Sequence, residues 1–181
     1  MHLKKILLGV TGGIAAYKVP ELVRLLVTEH HEVATIMTRS AHKFVTEHTL
    51  SALTSKRVRT DLWDLDAERA MGHIELAKWP DMFVIAPASA NTLAKLAQGR
   101  CDDLLSTVYL ATTSPVIMVP AMNQAMWNHP ATQRNLEQLK HDGVRIMDPE
   151  HGEQACGDVG IGRMPDPQDI LSFLNTMWQQ N

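Results

Sequence analysis

Short apolar segments alternate along the chain with longer segments in which apolar residues recur every three or four positions. The short segments are predicted to be buried strands, at residues 5–10, 33–37, 82–86, 116–119 and 144–147. Buried strands of this kind are brief, apolar and bounded by turn residues. Because helical segments separate them, the pattern predicts a mostly parallel sheet that is covered by helices on both faces.

The longer segments have the period of an amphipathic helix. Helices are predicted over residues 15–30, 49–53, 93–97, 104–110, 131–141 and 169–178. Pro20 is tolerated near the start of the first helix but would kink it at a deeper position, and Gly143 is a usual stop after the fifth. The predicted fold class is therefore α/β, with residues 1–181 forming one doubly wound, Rossmann-like domain.

The alternation of strands and helices ends at Pro149. Residues 150–166 contain four glycines and almost no apolar run. A long glycine-rich segment with no helix or strand of its own is usually functional or disordered. We expect a hinged flap over about residues 150–166, of the kind that closes over a bound molecule and excludes water.

Composition narrows the functional classes. The 181 residues are 45% hydrophobic and 20% charged, with a net charge of −3 and no long basic run, so nucleic-acid binding is not expected. No apolar segment has membrane-spanning length, and glycines interrupt the first one before any signal-peptide cleavage site, so we expect a cytoplasmic location without a membrane partner. The nine histidines and two cysteines lack metal-ligand spacing, so no metal is expected.

A glycine turn joins the first predicted strand to the first helix, and its candidate cofactor-binding residues are Gly12, Gly13, Ile14 and Ala15. Glycines let the backbone approach a ligand, and a helix N-terminus offers amides to a phosphate. The spacing is not GxGxxG, so a mononucleotide such as FMN fits better than a dinucleotide. The alternative is a tight connection without a ligand.

Polar residues also follow the second and third strands, at the edge of the sheet where ligands gather in open α/β folds. The candidates are Thr38, Ser40, Ser89, Ala90, Asn91 and Thr92. The hydroxyls could donate to a phosphate, and the small side chains of the second group leave room for a flat ring. The alternative is that these residues cap the helices that follow.

Residues 120–127 read PAMNQAMW and follow the fourth strand. A helix or turn that begins at Asn123 would direct a side-chain amide to the same edge of the sheet. An amide can bind a carboxylate, although Met126 and Trp127 are residues that more often pack in a core. Ala121 and Met122 are further candidates for contact with a cofactor.

Two further candidates lie outside these turns. His73 follows Gly72, but an isolated histidine is more often a satisfied surface or core residue than a catalyst. Cys156 lies in the glycine-rich flap, where a cysteine is not a packing residue, and a thiol can donate a proton near neutral pH.

Taken together, these segments resemble the homo-oligomeric flavin-containing cysteine decarboxylases. The motifs that carry the resemblance are PASANT at residues 87–92, PxMNxxMW at 120–127, a histidine at His73 and the cysteine-bearing substrate clamp at 152–164. Within this family the phosphopantothenoylcysteine decarboxylase branch is the most similar. The resemblance implies FMN as cofactor, phosphopantothenoylcysteine as substrate, and a homo-oligomer built from trimers, with FMN near the subunit boundary.

The resemblance also implies a reaction in which the cysteinyl thiol is oxidised to a thioaldehyde before CO2 leaves and an ene-thiol forms. The ene-thiol is then reduced to 4′-phosphopantetheine, a step of coenzyme A biosynthesis. It assigns Asn123 to the substrate carboxylate, His73 to the oxidation or decarboxylation, and Cys156 to the proton of the final reduction. Further substrate contacts are implied at Met126, Ala155, Gly157 and Arg163. Lys18 and Arg163 are possible contacts for the substrate phosphate, and the alternative for each is a solvated surface charge.

Several alternatives stay open at this point. A peptidyl-cysteine decarboxylase would share FMN, His73 and Asn123 but would not need Cys156. A flavin prenyltransferase would lack PxMNxxMW, and a regulatory flavoprotein would bind a phosphatase without catalysis. Bacterial relatives are usually fused to a phosphopantothenate–cysteine ligase domain, so the 181 residues are either a monofunctional protein or one half of such a fusion.

Overall fold

The computed structural model describes residues 3–66 and 71–179. Its central sheet has five parallel strands in the order β2-β1-β3-β4-β5. These strands are β1 Lys5–Val10, β2 Glu32–Met37, β3 Met82–Ala88, β4 Val116–Pro120 and β5 Arg145–Ile146. The predicted α/β fold with a parallel sheet is confirmed, and each predicted strand overlaps an observed one.

α-Helices connect and flank these strands. They are α1 Val19–Thr28, α2 Glu47–Thr54, α3 His73–Lys78, α4 Ala90–Ala97, α5 Leu104–Ala111, α6 Gln124–Asn128, α7 Pro130–His141 and α8 Pro167–Gln179. The first predicted helix is divided, because Ile14–Lys18 is a 3-10 turn and α1 begins after it. Pro20 therefore lies in the first turn of α1, where a backbone N–H has no intrahelical partner. Helix α3 was not predicted.

Alternate residues of the strands pack on opposite faces of the sheet. Ile6 and Leu8 join α1, α2 and α8 in one apolar cluster, whereas Leu7 joins α3, α4, α5 and α7 in the other. Because both faces are covered, the strands are apolar throughout instead of alternating with polar residues. The loops that follow the parallel strands lie at the carboxyl edge of the sheet.

Three of these connections touch one another at the carboxyl edge. The Oγ1 atom of Thr11 donates to the carbonyl oxygen of Pro87 (2.6 Å) and accepts from the amide of Ser89 (2.9 Å), which joins the ends of β1 and β3. A Cβ atom at Gly12 would collide with the Cβ atom of Ser40, which follows β2. Glycine is therefore required where the loops after β1 and β2 cross.

The glycine-rich segment is a β-hairpin, so the prediction that it has no element of its own is wrong. Its strands are β6 Glu150–Glu153 and β7 Val159–Arg163, which pair antiparallel. The carbonyl oxygen of Gly162 accepts from the amide of Met122 (3.0 Å), and Gly162 has a φ of +150°. A Cβ atom there would collide with the Met122 carbonyl oxygen. The hairpin thus lies directly against the segment that carries Asn123.

Among residues 3–66 and 71–179, no helix is both long enough and apolar enough to cross a membrane.

Candidate active site

A cavity of about 680 Å³ lies at the carboxyl edge of the sheet. Its walls come from the 3-10 turn, the starts of α4 and α6, and the hairpin. The predicted site residues that line it are Gly12, Gly13, Ile14, Ala15, Ser89, Ala90, Ala121, Met122, Asn123, Met126, Ala155, Cys156 and Arg163. Four separate stretches of the sequence therefore meet at one cavity, as the topology of a parallel sheet predicts.

The glycine turn forms one wall of the cavity. Nothing lies within 4 Å of the position where Gly13 would carry a Cβ atom, so the backbone there is open. Gly13 is also the residue before the 3-10 turn, and no side chain caps that turn. Open backbone at the start of a helical turn suits the approach of a phosphate or another anionic group.

Thr38 and Ser40 lie beside this turn but do not line the cavity. The side chain of Ser40 makes no capping hydrogen bond to the 3-10 turn Ala41–Lys43, so the capping alternative is not met there. The Oγ1 atom of Thr38 is buried without a hydrogen-bond partner among the described residues. A buried hydroxyl in this state fits a ligand that would supply the missing partner.

The PASANT segment combines helix capping with the lining of the cavity. The Oγ atom of Ser89 accepts from the amide of Thr92 (3.3 Å) and therefore caps α4. Ser89 and Ala90 also line the cavity, whereas Thr92 is buried behind them and Asn91 is exposed elsewhere. Capping and ligand contact are thus compatible at Ser89, while Asn91 and Thr92 are not brought to the cavity within one chain.

Asn123 holds the start of α6 and faces the hairpin. Its Oδ1 atom accepts from the amide of Ala125 (2.8 Å), which caps the helix. Its Nδ2 atom lies 2.8 Å from Oδ2 of Asp158, 3.2 Å from Oε1 of Gln154 and 3.4 Å from Sγ of Cys156. The amide is therefore presented to the cavity in a fixed orientation, because both of its ends are held.

The PxMNxxMW segment divides between core and cavity. Trp127 is buried in the second apolar cluster, whereas Met126 is 49% exposed and lines the cavity. Trp127 therefore packs in the core, as the packing alternative expects, whereas contact of Met126 with a ligand stays a prediction.

Cys156 lies at the turn of the hairpin, exposed and lining the cavity beside Ala155. Gly157 has a φ of +88° and supports the turn without lining the cavity. Gln154 and Asp158 were not among the predicted site residues, although both contact Asn123. In the sequence they lie two residues before and two residues after the cysteine, but only the hairpin brings both of them to Asn123.

Lys18 and Arg163, the two candidates for binding the substrate phosphate, differ in their hydrogen bonds. Lys18 is buried, and its Nζ atom donates to the carbonyl oxygen of Met164 (2.9 Å) and to Oδ1 of Asp166 (2.6 Å). This ammonium group holds the pKa of Asp166 below its usual range. Lys18 is thus not a solvated surface charge, and its ammonium group is already paired with a carboxylate. Arg163 packs against Gly152 and lines the cavity, and its guanidinium makes no hydrogen bond to any described residue.

His73 does not line the cavity. It is the first residue of α3, a helix whose buried residues Leu76 and Ala77 pack in the apolar cluster on the opposite face of the sheet from α1. One chain by itself therefore does not bring His73 together with Asn123 and Cys156. Nor do the described residues contain a group of three or more acidic, histidine or cysteine side chains that could hold a metal ion.

The chain is similar to known proteins over almost its whole length. It is 49% identical over 177 residues to the coenzyme A biosynthesis bifunctional protein CoaBC of Haemophilus influenzae, an alignment that covers 98% of this chain and 44% of that protein. The chain thus spans less than half the length of this curated relative.

Two solved structures are also similar. A PPC decarboxylase mutant complexed with pantothenoylaminoethenethiol is 35% identical, with a TM-score of 0.86 and coverage of 98% of this chain and 100% of the other. The FMN binding protein AtHal3 is 36% identical, with a TM-score of 0.83 and coverage of 99% of both chains. A family model described as Flavoprotein matches residues 1–179, so the chain belongs to the Flavoprotein family, in agreement with the resemblance that its motifs indicated.

Proposed function

We propose that this chain is an FMN-dependent decarboxylase that converts 4′-phosphopantothenoylcysteine into 4′-phosphopantetheine. The observation that carries the proposal is the meeting of an amide and a thiol at one cavity. Nδ2 of Asn123 lies 3.4 Å from Sγ of Cys156, opposite an open glycine turn. The names of the CoaBC relative and of the PPC decarboxylase complex support the same substrate.

The glycine turn, Ser89 and Ala90 are the residues that would hold FMN, with the buried hydroxyl of Thr38 beside them. When bound, FMN would supply the redox chemistry, as the hydride acceptor for the carbon that carries the sulfur and as the hydride donor for the final reduction. Ala121 and Met122 line the cavity without a charged side chain, which suits an aromatic ring. The AtHal3 relative, an FMN binding protein by name, supports this choice of cofactor.

The remaining steps depend on side chains of this chain. Asn123 would hold the substrate carboxylate with its amide, which already has a carboxylate partner in Asp158 at 2.8 Å. Cys156 would deliver the proton that the ene-thiol needs when it is reduced. The hairpin would cover the reacting atoms and exclude water while the thioaldehyde and ene-thiol exist.

Arg163 is our candidate for the substrate phosphate. It is the residue lining the cavity whose guanidinium has no hydrogen-bond acceptor among the described residues, whereas Lys18 is already paired with Asp166. A guanidinium binds phosphate through two parallel hydrogen bonds. Met126, Ala155 and Gly157 would contact the rest of the substrate from the start of α6 and the hairpin turn.

The purified protein is expected to be yellow, with one FMN per chain, and to lose its flavin absorbance when dithionite is added. The yellow protein should then release CO2 from phosphopantothenoylcysteine and form phosphopantetheine, measured as trapped CO2 and by mass spectrometry. Heat-treated protein with free FMN is the control. A colourless protein that also fails to take up added FMN would refute the proposal, and a yellow protein that releases no CO2 would favour the regulatory flavoprotein.

We further propose that the active unit is a homotrimer, or a multiple of trimers, in the cytoplasm. His73 lies outside the cavity of its own chain, so a neighbouring subunit is its natural route to the site. Ile74 beside it is 46% exposed, and Leu110 on the adjacent helix α5 is 50% exposed, which supports an apolar contact between subunits. A phosphopantothenate–cysteine ligase domain or protein would be a further partner, as the bifunctional relative suggests.

If subunits share the site, two inactive variants should restore activity to each other in a mixed oligomer. Chains with His73→Asn and chains with Asn123→Asp are each expected to be inactive alone. Mixed by co-expression, they should recover up to about a quarter of the wild-type activity, because half of the cavities keep Asn123 and half of their neighbours keep His73. Co-expressed chains that both carry Asn123→Asp are the control. No recovery in proven mixed oligomers would place His73 in the site of its own chain or outside it.

A further inference from the structure

Asp158 has contacts that the proposed reaction does not yet use. Its Oδ2 atom lies 2.8 Å from Nδ2 of Asn123 and 3.4 Å from Sγ of Cys156. One carboxylate oxygen therefore contacts both Asn123, which is assigned to the substrate carboxylate, and Cys156, which is assigned to the final reduction.

The amide of Asn123 has more acceptors than hydrogens. Its two N–H groups face Oδ2 of Asp158, Oε1 of Gln154 and Sγ of Cys156, and the contact with Asp158 is the shortest. Hydrogen bonds to a charged acceptor are shorter and about twice as strong as those between neutral groups. Asp158 is thus the preferred acceptor of one N–H group, the other is left for the substrate carboxylate to take in place of the neutral Gln154 oxygen, and the sulfur of Cys156 is free to act as a donor.

Two side-chain oxygens lie near the thiol of Cys156, and that of Asp158 is the closer one. Sγ of Cys156 lies 3.4 Å from Oδ2 of Asp158 but 4.0 Å from Oε1 of Gln154. The Gln154 oxygen also accepts from the backbone amide of Gln124 (3.1 Å), so it is already occupied. The S–H bond therefore has its nearest acceptor in Asp158.

Backbone hydrogen bonds hold the hairpin turn together without help from these side chains. The amide of Gln154 donates to the carbonyl oxygen of Asp158 (2.8 Å), and the amide of Gly157 donates to the carbonyl oxygen of Gln154 (2.9 Å). Removing the carboxylate of Asp158 would therefore leave the turn in place. What would be lost is the direction in which the thiol of Cys156 points.

We propose that Asp158 is a positioning residue, which holds the Cys156 thiol against the Asn123 amide by accepting hydrogen bonds from both. Its role is to hold the Cys156 sulfur in place beside Asn123 until the thiol turns its hydrogen from Asp158 to the ene-thiol, in the proton delivery that ends the reaction. This inference rests on the proposed function, because it assumes that Cys156 supplies that proton. Asp158 itself need not touch the reacting atoms.

Product composition tests this role. Asp158→Ala is expected to slow the final reduction roughly tenfold or more, since proton transfer depends on the orientation of the donor. Up to one equivalent of oxidised ene-thiol per site should then leave, with its two electrons retained on the reduced flavin, and is detected by mass spectrometry under anaerobic conditions. Asp158→Asn keeps an acceptor oxygen and is expected to form phosphopantetheine alone. Asp148→Ala, which removes an exposed carboxylate ahead of the hairpin, should behave like the wild type.

A second measurement needs no substrate. In a Cys101→Ser background, alkylation of Cys156 by iodoacetamide should accelerate several-fold in Asp158→Ala, because the thiol has lost its nearest partner. Asp158→Asn should leave the rate near that of the background. Melting temperature and flavin content should be unchanged in both variants, as expected for an exposed turn with an intact backbone.

The outcomes separate this inference from the proposed function. An unchanged alkylation rate in Asp158→Ala, or a uniformly slower reaction that yields only phosphopantetheine, would overturn the positioning role. So would Asp158→Asn giving the same mixture of products as Asp158→Ala. Faster alkylation in a protein whose wild type releases no CO2 would instead uphold the contact and refute the decarboxylase.

Discussion

Substituting Asn123 by Asp is expected to abolish turnover while FMN stays bound. The new carboxylate would face the carboxylate of the substrate, and juxtaposed like charges cost several kcal/mol. At about 3 kcal/mol the rate falls by roughly 10²-fold or more. The helix should survive, because an Asp oxygen can still accept from the amide of Ala125 and cap α6. Activity is measured as CO2 release, and flavin absorbance checks the bound cofactor.

The contact between Asn123 and Asp158 makes a sharper control possible. Asn123→Asp also places two carboxylates together at the hairpin turn, since Nδ2 of Asn123 lies 2.8 Å from Oδ2 of Asp158. The double variant Asn123→Asp with Asp158→Asn exchanges the amide and the carboxylate and removes that repulsion. If Asn123 holds the substrate carboxylate, the double variant stays inactive. Recovery of activity in the double variant would show that only the hairpin had been disturbed.

The sheet could be predicted because burial on both faces leaves a strong signal. Residues 82–88 are buried throughout, so β3 reads as a continuous apolar run. The edge strand β5 is shorter than predicted, at Arg145–Ile146, and both of its residues are only partly buried. Where burial decides the structure, composition and periodicity are sufficient.

The hairpin could not be predicted, because packing against a neighbouring segment stabilises it. In β7 the large residues Val159 and Ile161 are 60% and 43% exposed, so no buried apolar face marks it as a strand. Its inward positions are glycines, and Gly162 contacts the backbone of Met122. A contact that depends on the absence of side chains leaves only glycine spacing in the sequence, which is equally typical of a flexible loop.

The candidate site was predictable in part for a related reason. Asn123 and Cys156 could be chosen by chemistry, and the parallel topology brings their segments to the same edge. Asp158 became visible only when the register of the hairpin placed it beside Cys156. His73 is the opposite case. The resemblance points to it as a site residue, but a single chain does not place it in the cavity.

The largest change in product is expected from Cys156→Ser. If Cys156 supplies only the proton of the final reduction, this variant still oxidises the substrate and releases CO2. Serine is a far weaker acid than a thiol, so proton delivery should slow by roughly 10²-fold or more. The hydroxyl would keep the position near Asp158 and Asn123, so the turn itself need not change. Under anaerobic conditions the flavin is expected to remain reduced, and one equivalent of ene-thiol per site should accumulate.

Mass spectrometry distinguishes the two half-reactions, because the ene-thiol product is two hydrogens lighter than phosphopantetheine. Cys101→Ser is the matched control, since Cys101 is also exposed but its Sγ atom donates to Oγ1 of Thr107 (3.1 Å), away from the cavity. His73→Asn should differ from both by blocking CO2 release from the start. If Cys156→Ser only lowers the rate and yields phosphopantetheine as its sole product, the thiol supports the turn and has no part in the reduction.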